Sequence, residues 1–255
     1  MNYFDAAIFG IVEGLTEFLP ISSTGHLMLT AKLLGGQTEF LKTFEIVIQL
    51  GAILSVVVLY WRKFLMDFET LKRVIIAFIP TAIIGLLFYK IVKNVFMGND
   101  AIVLWALAIG GIVIIAFEWG RWCRARHRDG GSISYKNAFL IGVFQAIAIV
   151  PGVSRAAATI IGGLALNIDR HTIVEFSFLL AVPTMLAASG LDLYKNAGAF
   201  SVDQFGFLIV GFIISFLVAF LAIKFFLKFI KRHSFIGFGV YRILAAIGFW
   251  LLILR

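Results

Sequence analysis

Two short stretches concentrate the chemistry of this chain. The first reads Glu13-Gly-Leu-Thr-Glu17-Phe-Leu-Pro20-Ile-Ser22-Ser23-Thr-Gly-His26, the second Val150-Pro151-Gly152-Val153-Ser154-Arg155, with Thr159 one turn on. Glu13 and Glu17 are four apart, which sets both carboxylates on one helical face just before a proline break. Ser22 and Ser23 fall where a new helix would be capped, and His26 follows on the same face. Ser154, Arg155 and Thr159 repeat that logic. Helix N-termini aimed into a cavity present free N–H groups and positive dipole ends, which favour a phosphate. Arg155 adds a planar, permanently charged fork suited to phosphate oxygens. Neighbouring carboxylates repel an anion unless a hard divalent cation, Mg²⁺ or Ca²⁺, lies between them, and such a cation would offset charge on a leaving phosphate. On this reading Glu13 and Glu17 are metal ligands, and Ser22, Ser154, Arg155 and Thr159 bind phosphate. Ser23 with His26 as base, or His26 itself, would attack phosphorus; spacing leaves both routes open.

The elements that hold these residues lie in a membrane. Of 255 residues 61% are hydrophobic and 14% charged, with a mean hydropathy of +1.01, far above what a water-soluble surface carries. The formal charge of +8 accompanies 27 Phe, a composition unlike a nucleic-acid binder. Continuous apolar stretches exclude a β-barrel. Cys123 has no second cysteine to pair with, and the opening residues lack the basic n-region expected of a signal peptide.

Stretches at about 44–61, 74–92, 101–119, 173–192, 205–224 and 236–254 read as six crossings, each near the roughly 20 residues a hydrocarbon core requires. Two further apolar segments, about 5–35 and 136–168, are interrupted by the proline breaks and read as re-entrant hairpins. Non-helical backbone at membrane depth is tolerated only beside protein or a wet cavity. Arg62, Lys63, Lys72 and Arg73, then Arg121, Arg124, Arg126, Arg128 and Lys136, then Lys224, Lys228, Lys231 and Arg232 fall on one side if both hairpins return. The other loops hold only Lys90, Lys93 and Lys195. The positive-inside rule then puts both chain ends outside the cytoplasm.

A gapless shift of 132 residues lays one hairpin on the other: Ala6 on Ala138, Gly10 on Gly142, Glu13 on Gln145, Ser22 on Ser154, Phe44 on Phe176 and Leu59 on Leu191. Each half, about 1–125 and 133–255, then has one hairpin and three crossings. An odd number of crossings inverts the second half, so the expected fold is a single all-α integral membrane domain with an inverted-topology repeat whose two breaks meet near the midplane. The intramembrane Glu-Glu-His-Arg cluster is expensive to insert, at roughly 2.5–3.5 kcal/mol per charge on insertion scales, and marks the site. A lone embedded Ser or Thr is more often bonded to its own helix. Glu45, Gln49 and Glu175, near span starts, are expected at the interface, with Glu45 and Gln49 on one face that could reach the site. Arg242 is expected to snorkel.

The first string, together with Thr43-Phe-Glu-Ile-Val-Ile-Gln-Leu-Gly51, Pro151-Gly-Val-Ser-Arg155, Phe176-Ser-Phe-Leu-Leu-Ala-Val-Pro183 and Asp192-Leu-Tyr-Lys195, resembles the undecaprenyl-diphosphatase family, the bacitracin-resistance membrane phosphatases, over essentially the whole chain. The resemblance implies hydrolysis of undecaprenyl diphosphate to the monophosphate at the outer face of the bacterial inner membrane. That reaction recycles the lipid carrier for wall synthesis and needs a divalent cation. It implies metal and acid/base roles for Glu13 and Glu17, a catalytic pair in Ser23 and His26, and a phosphate clamp of Ser154, Arg155 and Thr159. The chain departs from the family's Ser-Arg-Ser-Gly at Ala156 and Ala157, a change expected to tune the site. The rival reading is an ion-coupled transporter or lipid flippase, which also uses inverted repeats and midplane carboxylates.

Overall fold

A computed structural model describes residues 1–36, 38–91, 99–122, 133–195 and 204–253. The described residues form helices and turns, with no strand among them. The expected basic residues Arg124, Arg126 and Arg128, together with Lys93 and Cys123, lie outside them.

The first hairpin is α1 (Tyr3–Thr16) and α2 (Ser23–Leu33), packed on each other across the turn at Pro20. At 14 and 11 residues each arm is far short of a crossing. Asn2 starts α1 with a reciprocal capping box to Asp5. Then come α3 (Glu39–Leu59), the short α4 (Trp61–Met66), α5 (Phe68–Ile91) and α6 (Asp100–Trp122). The second hairpin is α7 (Tyr135–Ala146), a turn of 3₁₀ helix at 147–149, and α8 (Arg155–Ala165). It is followed by α9 (Arg170–Lys195), α10 (Phe205–Ile230) and α11 (Ile236–Ile253).

Five helices among the described residues are long and apolar enough to cross a membrane: Phe40–Leu59, Phe68–Tyr89, Asp100–Gly120, Arg170–Asp192 and Phe205–Ile230. The sixth expected crossing is α11, apolar except for Tyr241 and Arg242 but only 18 residues long, about 27 Å at helical rise. Pro80 and Pro183 lie inside α5 and α9 without ending them. Proline alone therefore does not make the two breaks.

Each hairpin packs on helices remote in sequence. α1 lies against α10, which also packs on α3; α7 lies against α5, which also packs on α9; α6 pairs with α11. Glycines allow the closest approaches. A Cβ on Gly14 would stand 2.7 Å from the Ser215 carbonyl and 2.8 Å from the Ala219 nitrogen of α10. Gly10 faces the Gly211 carbonyl of α10 and its counterpart Gly142 faces the Ala77 carbonyl of α5, so both members of the sequence pair perform the same packing task. The central core unites Phe18, Val56, Ala138, Ile141, Ala156, Ile160, Phe178 and Phe226. Ala156 and Ala157, the two departures from the family pattern, are buried in this core, which their small side chains fit.

Candidate active site

The helix starts after the two breaks share an unusual backbone. Ser22 and Ser154, each the residue before the first helical turn, have φ of 72° and 74°, in the left-handed region that non-glycine residues seldom occupy. Such strain is held in place by surrounding structure and clusters at functional sites. Gly152, at φ 94°, would bring a Cβ within 2.5 Å of the Val103 carbonyl, so glycine is required there on two counts. The Ser154 hydroxyl caps α8 by accepting from the Ala157 N–H at 3.2 Å, whereas the Ser22 side chain makes no capping bond.

These turns bring the expected residues from both stretches together around Glu17. The Ser23 hydroxyl donates to Glu17 Oε2 at 2.5 Å, and Arg155 Nη2 donates to Glu17 Oε1 at 3.0 Å. Ser23 and Arg155 are the first helical residues of α2 and α8 and stand 132 positions apart, the repeat offset. Arg155 is further fixed through Nη1, which donates to the Ser177 carbonyl at 2.9 Å, and its guanidinium lies over the Phe18 ring at 5.6 Å. Glu17 and Arg155 side chains retain only 6% and 11% exposure, so the ion pair is largely removed from water and strengthened accordingly.

Glu13 lies one turn before Glu17. It is fully buried, and neither carboxylate oxygen has a hydrogen-bond partner among the described residues. The charges of Glu17, Glu45 and Arg155 all act on it. An ionised carboxylate left so is costly, and a cation is the natural complement. The described residues contain no group of three or more His, Cys, Asp or Glu side chains able to cage a metal. Glu13 and Glu17, one turn apart, are oxygen donors of the kind a hard divalent cation takes, its remaining positions being open to water and phosphate oxygens.

Other expected residues stand elsewhere. His26 is not bonded to Ser23. Its Nδ1 donates to the Ser22 carbonyl at 2.8 Å, which leaves Nε2 to accept from the Tyr241 hydroxyl at 2.6 Å, and the two rings stack 5.5 Å apart. Thr159 is fully buried, its hydroxyl 2.6 Å from Ser177 Oγ and within bonding distance of the Arg155 and Ala156 carbonyls. Through Ser177, whose carbonyl accepts from Arg155, it is joined to the Arg155 support. Glu175 pairs with Lys63 at the end of its span, as an interfacial residue does. Gln49 is bonded to Ser189. Gln145, the counterpart of Glu13, donates to Thr81 and Thr184.

The expectation for Arg242 is overturned. Far from snorkelling, it is fully buried and donates to five main-chain carbonyls: Pro20 at 3.2 Å, Leu107 at 3.2 Å, Val153 at 3.0 Å, and Ala106 and Gly152 at 2.9 Å each. Sequence offered only a lone charge in an apolar helix, which fits either arrangement. The one usable signal was the insertion cost of that charge.

Comparison with known proteins places this geometry in context. The profile of the family described as bacitracin resistance protein BacA matches residues 6–248. The chain is 50% identical over 247 residues to an undecaprenyl-diphosphatase of Aquifex aeolicus (strain VF5), covering 96% of each. It is 54% identical over 255 residues to one from Sulfurihydrogenibium sp. (strain YO3AOP1), covering 98% of this chain and 99% of the relative. With that of Persephonella marina (strain DSM 14350 / EX-H1) the identity is 51% over 257 residues, and both chains are covered completely.

Proposed function

Since this chain belongs to the bacitracin resistance protein BacA family, we propose that it hydrolyses undecaprenyl diphosphate to undecaprenyl phosphate and inorganic phosphate at the carboxylate where its two hairpins meet. The observation that carries the reading is Glu17 held between the Ser23 hydroxyl and the Arg155 guanidinium. A serine on a carboxylate base is an activated nucleophile, and an adjoining arginine is a phosphoryl ligand. Both nitrogens of His26 are already committed, which favours Ser23 as the attacking group.

In this scheme the terminal phosphoryl enters between the helix starts and draws Arg155 from Glu17 onto its oxygens. The starts of α2 at Ser23 and of α8 at Arg155 would offer their free N–H groups to it. Ser23 Oγ bonds to the terminal phosphorus while its proton passes to Glu17. The phosphoanhydride P–O bond breaks and undecaprenyl phosphate departs with the bonding pair. The proton on Glu17 goes to the departing phosphate; water then attacks the phosphoserine, Glu17 taking its proton and passing one to the Ser23 oxygen as the serine P–O bond breaks and phosphate is freed. Glu13 and Glu17 would hold the divalent cation, which when bound supplies positive charge against the leaving phosphate.

The repeat geometry supports an inverted arrangement. The helix limits of α2 and α8, the left-handed serines and the packing of each hairpin on the far half all recur at an offset of 132. Charge bias favours a cytoplasmic side for the basic loops of a bacterial inner-membrane protein, and the family resemblance implies a site that opens outward, with lipid substrate reaching it between the spans. Purified protein in detergent is expected to release phosphate from a polyprenyl diphosphate in the presence of Mg²⁺, without a sealed compartment. Arg155→Ala protein that folds yet keeps wild-type turnover would remove the reading.

A further inference from the structure

Arg242 is a fully buried charge that the scheme above does not use, and its surroundings are unusual. It contacts no carboxylate through any of its hydrogen bonds; all five go to carbonyl oxygens, on three separate segments. One acceptor, Pro20, is the first break itself. Two more, Gly152 and Val153, are the second break. The last two, Ala106 and Leu107, lie on α6, the helix against which α11 packs.

Carbonyls in a broken helix lose their intrahelical donors and must be satisfied internally at membrane depth. Arg242 does so for both breaks with one side chain. Nη1 alone bonds Pro20 and Val153, so a single nitrogen ties one hairpin tip to the other. The next residues along each strand from those carbonyls are the ones that matter. Ser22 and Ser23 follow Pro20 by two and three positions, and Ser154 and Arg155 follow Val153 by one and two. The left-handed φ of Ser22 and Ser154 needs such an external hold.

We propose that Arg242 is a positioning residue which staples the two breaks together and thereby sets Ser23 and Arg155 at their spacing about Glu17. This rests on the phosphatase reading of that site. The guanidinium geometry is essential to it: five donors in a rigid fork reach acceptors in several directions, while an ammonium offers three from one atom. Lysine at 242 therefore keeps the charge and loses the staple.

The test is a double-mutant cycle on purified protein in detergent, with Mg²⁺ and farnesyl diphosphate. Arg242→Gln and Arg242→Lys are each combined with Arg155→Ala. Both single variants at 242 are expected to lower kcat by roughly 100-fold, as small misplacements of reacting groups do, with KM changed far less. Added to Arg155→Ala they should cost clearly less than they do alone, because one of the two groups they position is already gone. Wild-type kcat in Arg242→Lys, or losses that multiply with Arg155→Ala, would overturn the proposal. Hydrogen exchange supplies a readout free of activity. Arg242→Lys should speed exchange in residues 18–24 and 150–156 and leave α3, α5 and α9 unchanged, whereas uniform acceleration or no change would overturn it. Inactive wild-type protein would refute the phosphatase reading alone, and the exchange pattern would still decide the staple.

Discussion

In the proposed scheme the chemistry converges on Glu17, which bonds both Ser23 and Arg155, and two substitutions divide its tasks from those of its neighbour. Glu17→Gln keeps an acceptor for the Ser23 hydroxyl but removes both the base and the partner of Arg155. Phosphate release should fall by about 10² or more, in line with the loss of a positioned general base. Glu13→Gln removes charge from a carboxylate that bonds nothing in the described residues, so it should act through the cation. The Mg²⁺ concentration for half-maximal rate should rise about ten-fold or more; an unchanged titration would exclude Glu13 as a ligand. Most of this site is legible from residue type, since embedded carboxylates, arginine and proline breaks are each conspicuous. Who bonds whom is not. Ser23 and His26 are three positions apart, yet the first turn of α2 directs Ser23 back to Glu17 and leaves His26 facing Tyr241, which lies 215 positions away in the chain.

The helices owe their places to caps and small residues as much as to apolar faces. Gly14, between the two carboxylates, lets the backbone of α10 approach α1 directly. Gly14→Leu should wedge these helices apart, lowering the thermal midpoint by an amount worth about 1–3 kcal/mol and displacing Glu13 and Glu17. Thermal unfolding in detergent beside a phosphate assay would register both losses. At the start of α5, Asp67 accepts from the Thr70 hydroxyl at 2.6 Å and its N–H at 3.0 Å, which holds the carboxyl below its ordinary value. A depressed acid stabilises the fold above the unfolded-state pKa, near 4, and that benefit disappears as pH falls through the folded value. Asp67→Ala should thus lower the unfolding midpoint at pH 7, with the gap to wild type closing below about pH 4. The helix limits follow from proline, caps and apolar length, so they are largely readable in advance. The role of α11 is not, because the acceptors of Arg242 lie 89 to 222 positions away and are backbone atoms that no residue type advertises.

Across the whole molecule the two halves are interlaced. The first hairpin packs on α10 and the second on α5, while α6 and α11 pair across the middle. Neither residues 1–125 nor 133–255 can then bury its own hairpin. Each fragment expressed alone should be degraded or misfolded, and co-expression should restore phosphatase activity to membranes; an active single fragment would contradict this. The matches at an offset of 132 are readable in the sequence, but the packing of α1 on α10 and of α7 on α5 is not. Ser23 and Arg155 occupy the same register in the two halves and flank one carboxylate with different chemistries. A symmetric pair of identical half-length subunits would have to place two serines or two arginines there. In one continuous chain the two tips carry different residues at matching positions, so that on the proposed reading one attacks and the other holds the anion.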